Sequence, residues 1–385
     1  MRNTTVACRI RLTAVMVMCA VSCLQAAAQI SKSQRVTQIK LESFGWEPIP
    51  KGEYYENRGA FSRNLWIDHS GRVLVGFTVR ENYALATRGH PGRSFHILRF
   101  TSEGKVDLSL VLPTDNWFNN GIYLGSNDQI FARANDAFQL LENEYNKESP
   151  SWKTLAPCPR DCYISQSLSR RTLIVRVEPP VGGPDHSTYT ILDASSSPPR
   201  VVGTCSQMAF YARNITDKFA YWGNYDRDDN LMVRFPFCDV EHYQELSKWG
   251  GRGTSGFVLN DETLLKIGYT SAGPVEAQVI GPNGQLKFSL KMPKNDAIYP
   301  YDVASDERND RFAFMVNTIR GQHPRLDIGG HLVARRAVVY SDSGQELASI
   351  PIDTHLSRDA DFSMSPDGHR LAVLNGDLLT LLEIE

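Results

Sequence analysis

Residues 362–374 read FSMSPDGHRLAVL, and this stretch decides the fold. Its centre is Ser365-Pro366-Asp367-Gly368. Proline presets the backbone for the first central position of a type I turn, serine suits the position before it, and glycine suits the position after the centre. Short apolar runs on both sides, Phe362-Ser363-Met364 and Leu371-Ala372-Val373-Leu374, have the length and composition of strands. The stretch is a β-hairpin.

Six units upstream have the same outline: 65–77 (LWIDHSGRVLVGF), 122–132, 163–175, 208–222, 256–269 and 302–316. They recur about every 50 residues, a repeat length typical of propeller blades. A second set of hairpins lies between them, at 95–112, 138–155, 188–203, 231–246, 275–290 and 337–350, with TSEG, GPNG and SDSG as the clearest turns. Each pair of hairpins makes a meander of four strands, lettered a to d. One such sheet cannot bury both of its faces, and packing several around an axis solves that problem. The last unit has only three strands, ending in LLTLLEIE (378–385), and RVTQIKL (35–41) offers the fourth. The expectation is an all-β propeller of seven four-stranded blades, closed by an N-terminal strand on the C-terminal blade. A pair of sandwiches, or a ring of six or eight blades, is the competing arrangement.

FSMSPDGHRLAVL resembles the WD-repeat-like and YVTN-type β-propeller repeats of exported bacterial proteins. SPDG and the strands around it carry the resemblance, and the Trp-Asp dipeptide of WD repeats is absent. The resemblance implies a propeller fold and export. It implies no activity, because propellers host binding modules, scaffolds, lyases, hydrolases and redox enzymes.

The N-terminus has the three parts of a secretory signal. Arg2, Arg9 and Arg11 form a basic region, Leu12–Leu24 an apolar one, and Ala26-Ala27-Ala28 a small-residue site with cleavage before Gln29. The organisation is therefore a signal peptide at 1–28 and one propeller domain at 29–385, with a periplasmic or secreted product. Lipid anchoring at Cys23 is the minor alternative, since Ala20 stands where a lipobox carries leucine. The mature chain has no other segment apolar and long enough to cross a bilayer. A net charge of −2 gives no general attraction for nucleic acid.

Cys158, Cys162, Cys205 and Cys238 remain after cleavage, an even number that in an oxidising compartment points to one or two disulfides among three possible pairings. Cys158 and Cys162 close the shortest loop. Zinc is the other reading of that spacing, but it lacks a second close pair and a nearby histidine.

In a four-stranded blade the b–c and d–a connections leave one face, and the a–b and c–d turns the other. The long, varied segments fall on the first: 81–94, 178–187 and 317–336 as b–c loops, and 113–121, 248–256, 293–302 and 353–361 as d–a loops. Long loops on a rigid scaffold are where function concentrates. Trp117, Trp249, Arg252, Tyr299, Tyr301, Arg320 and Arg325 are the candidate ligand-binding residues, because tryptophan, tyrosine and arginine dominate binding hot spots. The two tryptophans also suit gaps between blades. Glycines at 250, 251, 253 and 256 around Arg252 permit close backbone approach and equally make a plain turn.

No nucleophile elbow, zincin helix or phosphate loop is present, and nothing calls for a cofactor. His323, Asp327 and His331 would share a helix face, but Pro324, Gly329 and Gly330 oppose a helix there. Asp226, Asp228 and Asp229 cluster without EF-hand spacing. The sequence therefore points to a non-catalytic propeller that binds a protein, peptide or glycan of the cell envelope. The alternative is a lyase or hydrolase at the channel mouth, with Asp115, His355, Arg358 and Asp359 as the residues to test and no catalytic or metal role otherwise assigned.

Overall fold

A computed structural model describes residues 35–45, 64–80, 93–114, 121–134, 136–142, 151–159, 162–179, 186–206, 208, 214–223, 229–250, 254–259, 262–268, 276–293, 295–320, 331–353 and 360–385. Strand β1 (Val36–Lys40) comes first and is followed by a single 3-10 turn at Leu41–Phe44. Blade 1 holds β2 (Leu65–Ile67), β3 (Val73–Arg80), β4 (Arg93–Phe100) and β5 (Val106–Thr114). Blade 2 holds β6 (Gly121–Leu124), β7 (Ile130–Ala134), β8 (Ala137–Leu141) and β9 (Trp152–Pro157). Blade 3 holds β10 (Cys162–Gln166), β11 (Thr172–Val177), β12 (Thr188–Asp193) and β13 (Arg200–Cys205). Blade 4 holds β14 (Asn214–Ile215), β15 (Phe219–Gly223), β16 (Asp229–Pro236) and β17 (Gln244–Gly250). Blade 5 holds β18 (Thr254–Val258), β19 (Leu264–Gly268), β20 (Glu276–Ile280) and β21 (Leu286–Lys291). Blade 6 holds β22 (Asp296–Ser305), β23 (Arg311–Arg320), β24 (His331–Ser341) and β25 (Glu346–Ile352). Blade 7 holds β26 (Asp361–Met364), β27 (Arg370–Asn375) and β28 (Leu378–Glu383), with β1 as its outer strand.

The seven sheets are all antiparallel meanders, and together they form a seven-bladed β-propeller. The expected closure is present. Val36 pairs with Leu382 and Lys40 with Leu378, and the Leu41 amide donates to the Asp377 carbonyl at 2.8 Å. Behind β1, Leu41 and Leu379 are fully buried beside Val75, Phe77 and Phe100 of blade 1.

Burial explains why some strands alternate and others do not. The second strand of a blade is covered on both faces by neighbouring blades, so β7, β23 and β27 read as nearly continuous apolar runs. The outer strand β13 is half in water and carries exposed Val201 and Val202. The core consequently lies between blades. Phe95 and Ile97 meet Ile122, Phe131 and Phe138 between blades 1 and 2; Val279 and Phe288 meet Phe312 and Phe314 between blades 5 and 6.

Six of the a–b turns span five residues each: 68–72, 125–129, 167–171, 259–263, 306–310 and 365–369. In all six the fourth residue is left-handed: Gly71 at φ 73°, Asp128 at 62°, Arg170 at 61°, Glu262 at 63°, Asn309 at 56° and Gly368 at 74°. In five of them the amide of that residue donates to the carbonyl of the turn's first residue, and four of the six place a residue other than glycine there.

Both disulfides form, pairing Cys158 with Cys162 and Cys205 with Cys238. The first joins the last strand of blade 2 to the first strand of blade 3 and uses the sulfurs that a zinc ion would need. The second links β13 of blade 3 to the turn after β16 of blade 4. Its sequence separation of 33 corresponds to roughly 3.7 kcal/mol of loop-closure entropy removed from the unfolded chain.

Several loop boundaries shift. Half of the segment 317–336 is strand, because β23 continues to Arg320 and β24 begins at His331. The segment 293–302 is strand from Asp296 onward, and 248–256 contains the end of β17 and the start of β18. Blade 2 inverts the usual lengths: β7 and β8 are joined by residues 135–136, and β8 and β9 by 142–151.

Candidate functional site

The two mouths of the ring are built differently. On the face of the b–c and d–a connections, the strand ends leave long spans at 81–92, 178–187, 269–275 and 321–330, and at 115–120, 206–213 and 353–360. Asp115, Trp117, Arg252, Arg325, His355, Arg358 and Asp359 lie outside the described residues, as do His323, Asp327, Asp226 and Asp228.

Four candidates are placed in strands, where loops were expected. Trp249 is in β17, opposite Asn230 of β16. Arg320 ends β23, exposed and opposite His331 of β24. Tyr299 and Tyr301 belong to β22, in a bulge between Ile298, paired with Val316, and Val303, paired with Phe314. Pro300 sits inside that bulge. A proline is admissible there because the innermost strand of a blade has one free edge and a bulge gives up its ladder bonds.

The structure thus gathers Tyr299, Tyr301 and Arg320 on blade 6, whose strands β22, β23 and β24 are the longest of the ring. The charges beside them are engaged. Asp296 accepts from the Thr318 hydroxyl at 2.7 Å and from Arg336 at 3.1 Å, and Arg336 also reaches Glu346 at 3.3 Å. Buried Arg335 donates to Asn317 Oδ1 at 2.7 Å. No group of histidine, cysteine and carboxylate side chains suited to a metal ion occurs among the described residues.

The opposite mouth is laced shut by its a–b turns. Glu307 of blade 6 donates its amide to the Pro366 carbonyl of blade 7 at 2.9 Å. Arg370 of blade 7 donates to the Gly71 carbonyl of blade 1 at 2.9 Å. The Ser126 amide of blade 2 reaches the Arg170 carbonyl of blade 3 at 3.1 Å. Ser167 and Ser169 of blade 3 both donate to Asp217 of blade 4, at 3.0 and 2.6 Å. Arg234 of blade 4 pairs with Glu262 of blade 5. Two contacts skip a blade. Buried Arg170 lies 5.5 Å from the Trp66 ring and donates to the Ile67 carbonyl of blade 1 at 2.7 Å. His69 of blade 1 touches Asp128 of blade 2 through Nδ1 at 2.8 Å and Glu307 of blade 6 through Nε2 at 3.1 Å.

Partial burial pulls the His69 pKa down, but the hydrogen bonds and charges of Asp128 and Glu307 outweigh it and raise it above the ordinary 6.5. With both ring nitrogens occupied, His69 has no free position from which to take a proton from a substrate. The described side chains of this mouth tie one blade to the next. Sequence reasoning missed this lacing. Its one signal was the five-residue turn with polar residues at the tip, repeated in six of the seven blades, which brings the tips to one end without saying which of them meet.

No protein-family model matches the sequence, and no curated protein matches it either. Solved structures do resemble it in fold. An oligogalacturonate lyase in complex with manganese is 12% identical, with a TM-score of 0.47, over 83% of this chain and 96% of that one. The WD40 domain of coronin from Toxoplasma gondii is 9% identical, with a TM-score of 0.44, over 92% and 86%. A chain of a mitotic checkpoint complex is 11% identical, with a TM-score of 0.44, over 91% and 93%. At this distance the likeness concerns the fold alone and transfers no activity.

Proposed function

We propose that this protein is an exported propeller, akin to the YVTN-type repeat proteins, that binds a protein, peptide or glycan of the cell envelope through its long-loop face. The observation that carries this reading is the difference between the mouths. One is laced by short turns, several of whose polar groups bond from blade to blade. The other is where the long connections leave the strands, and where blade 6 carries two tyrosines and an arginine on its longest strands. Four paired cysteines fit an oxidising compartment, and the pattern of residues 1–28 fits a secretory signal.

The test uses the purified mature protein against arrays of envelope glycans and peptides, alongside Trp249→Ala and Arg252→Ala. Binding by the wild type and a tenfold or greater loss in either variant, on the scale of hot-spot truncations, supports the reading. No binding, with variants indistinguishable from wild type, overturns the face assignment. Release of a cleaved product in the same screen replaces the binder with an enzyme, and substitutions at Asp115, His355, Arg358 and Asp359 then identify its residues. Mass spectrometry of the envelope fraction tests export: a mature chain starting at Gln29 is expected, and an unprocessed cytoplasmic chain rejects it.

A further inference from the structure

We propose that His69 is a pH-responsive clasp that holds the ring shut across its short-turn mouth, gripping blades 2 and 6 from blade 1. The geometry asks for two donors. Nδ1 lies 2.8 Å from Asp128 Oδ1 and Nε2 lies 3.1 Å from Glu307 Oε1. Both partners are carboxylates, which in their ionised form only accept. A neutral imidazole has one N–H, so it satisfies one carboxylate and turns a lone pair toward the other. The imidazolium donates to both.

The Asp128 end is firmly built. The His69 amide also faces Asp128, 3.2 Å from Oδ1 and 3.3 Å from Oδ2. Asp128 itself holds the left-handed position of its turn, at φ 62°, where Gly71 stands in blade 1 and Gly368 in blade 7. A carboxylate at that position sends its side chain to the neighbouring blade, which glycine could not do.

The Glu307 end crosses the seam. Blades 1 and 6 are not neighbours, since blade 7 lies between them, and blade 7 is the one whose outer strand comes from the other end of the chain. The seam sector is thus held at the rim by β1 and at the axis by His69. Glu307 is about half exposed, and its amide keeps blade 6 on blade 7 through Pro366. Loss of the side-chain contact therefore opens the mouth without undoing the ring.

Several charged groups on the surrounding turns are engaged elsewhere, while Arg308 and Asp310 share the 306–310 turn with Glu307. On the same turn as His69, Asp68 accepts from Arg72 at 2.5 Å. On blade 3, Arg170 is held by the Ile67 carbonyl, and on blade 7 Asp367 accepts from Ser365 and from the His369 amide. On blade 6, Asp306 accepts from the Asp310 and Arg311 amides. Asp128 and Glu307 are left as the two charges that touch the ring of His69.

The direction with pH follows. Burial lowers the His69 pKa, the two carboxylates raise it by more, and the folded value lies above 6.5. A group raised on folding contributes its full stabilisation below the unfolded pKa and loses it as pH rises through the folded one. The clasp is closed in mildly acidic conditions and released on the alkaline side.

The test follows the His69 imidazole by NMR in protein labelled at histidine Cε1, assigned with His69→Gln, while hydrogen exchange reads the turns 68–72 and 306–310 from pH 5.5 to 9. The expected result is a His69 pKa above 6.5 that falls in both Glu307→Gln and Asp128→Asn. Protection of turn 306–310, corrected for intrinsic exchange, should drop about threefold or more with rising pH in wild type and stay level in His69→Gln. Titration of His69 at or below 6.5, an unchanged pKa in Glu307→Gln, or the same pH-dependent loss of protection in His69→Gln overturns the proposal. Should His69→Gln fail to fold, the two carboxylate variants, which keep the ring nitrogens in place, decide it through the pKa alone.

Discussion

Blades 1 to 6 and blade 7 solve the same problem with different outer strands. In each of the first six, the ladder between the third and fourth strands slips by one residue soon after the turn that joins them, at Asp107, Leu155, Val202, Leu246, Lys287 and Leu347. In blade 7 the ladder between β28 and β1 runs unbroken from Leu378–Lys40 to Leu382–Val36. A bulge sacrifices a ladder bond and increases twist, and a strand joined directly to its neighbour in sequence, by a short turn in most blades and by 142–151 in blade 2, tolerates that loss. Strand β1 has no such tether. It returns from the far end of the chain, and the entropy of closing that loop has to be met by pairing and burial alone. An uninterrupted ladder, with Leu41 locked behind it, is what that demands.

The comparison can be broken most severely by deleting residues 35–41. The deletion removes Ile39 and Leu41 from the packing beside Phe100 and uncovers Leu379 and Leu382. At about 1.5–3 kcal/mol for each apolar side chain taken out of burial, the loss should exceed about 5 kcal/mol. That is a large part of a typical domain's stability. Urea denaturation should show a collapsed midpoint or no cooperative transition, and a wild-type midpoint would mean that β1 does not close the ring.

A single proline sharpens the contrast. The Leu41–Asp377 and Glu383–Arg35 bonds set the phase of the ladder, so the Ile39 amide points at β28. Ile39→Pro should cost about 3 kcal/mol, through the lost bond and disturbed packing. Val202→Pro falls on the unpaired residue of a bulge in an exposed outer strand and should cost less than about 1 kcal/mol. Equal midpoint shifts for the two would remove the distinction between bulged and unbulged outer strands.

The smallest effect compares turns. Gly368 in blade 7 has φ 74°, and a Cβ there would stand 2.8 Å from Arg311 Cδ. Gly368→Ala should cost about 1–2 kcal/mol, measured again by denaturation, the penalty of a left-handed non-glycine residue. The blade 2 counterpart already carries Asp128 in that conformation, with its carboxylate committed to His69.

These turns also show how far the sequence could be read. SPDG in blade 7 and HSG in blade 1 announce themselves because glycine fills the left-handed position. The same geometry at Asp128, Arg170, Glu262 and Asn309 has no glycine, so the middle repeats looked weaker than they are. Among the candidate site residues, Trp249, Tyr299, Tyr301 and Arg320 have the sequence signature of loops because turn formers surround them. Their strands run on because an inner edge accepts Pro300 within a bulge, and because β23 and β24 support each other as far as Arg320 and His331.

By itself the sequence determined the number of hairpins, their order and the strand that completes the last blade. Turn chemistry and strand periodicity are local properties, written within a dozen residues. Only the tertiary structure decided that His69 meets Asp128 and Glu307, that Arg170 reaches across to Ile67, and that Cys205 pairs with Cys238. Those partners are far apart along the chain, and each meeting depends on the accumulated rotation of whole blades about one axis, which no short stretch encodes.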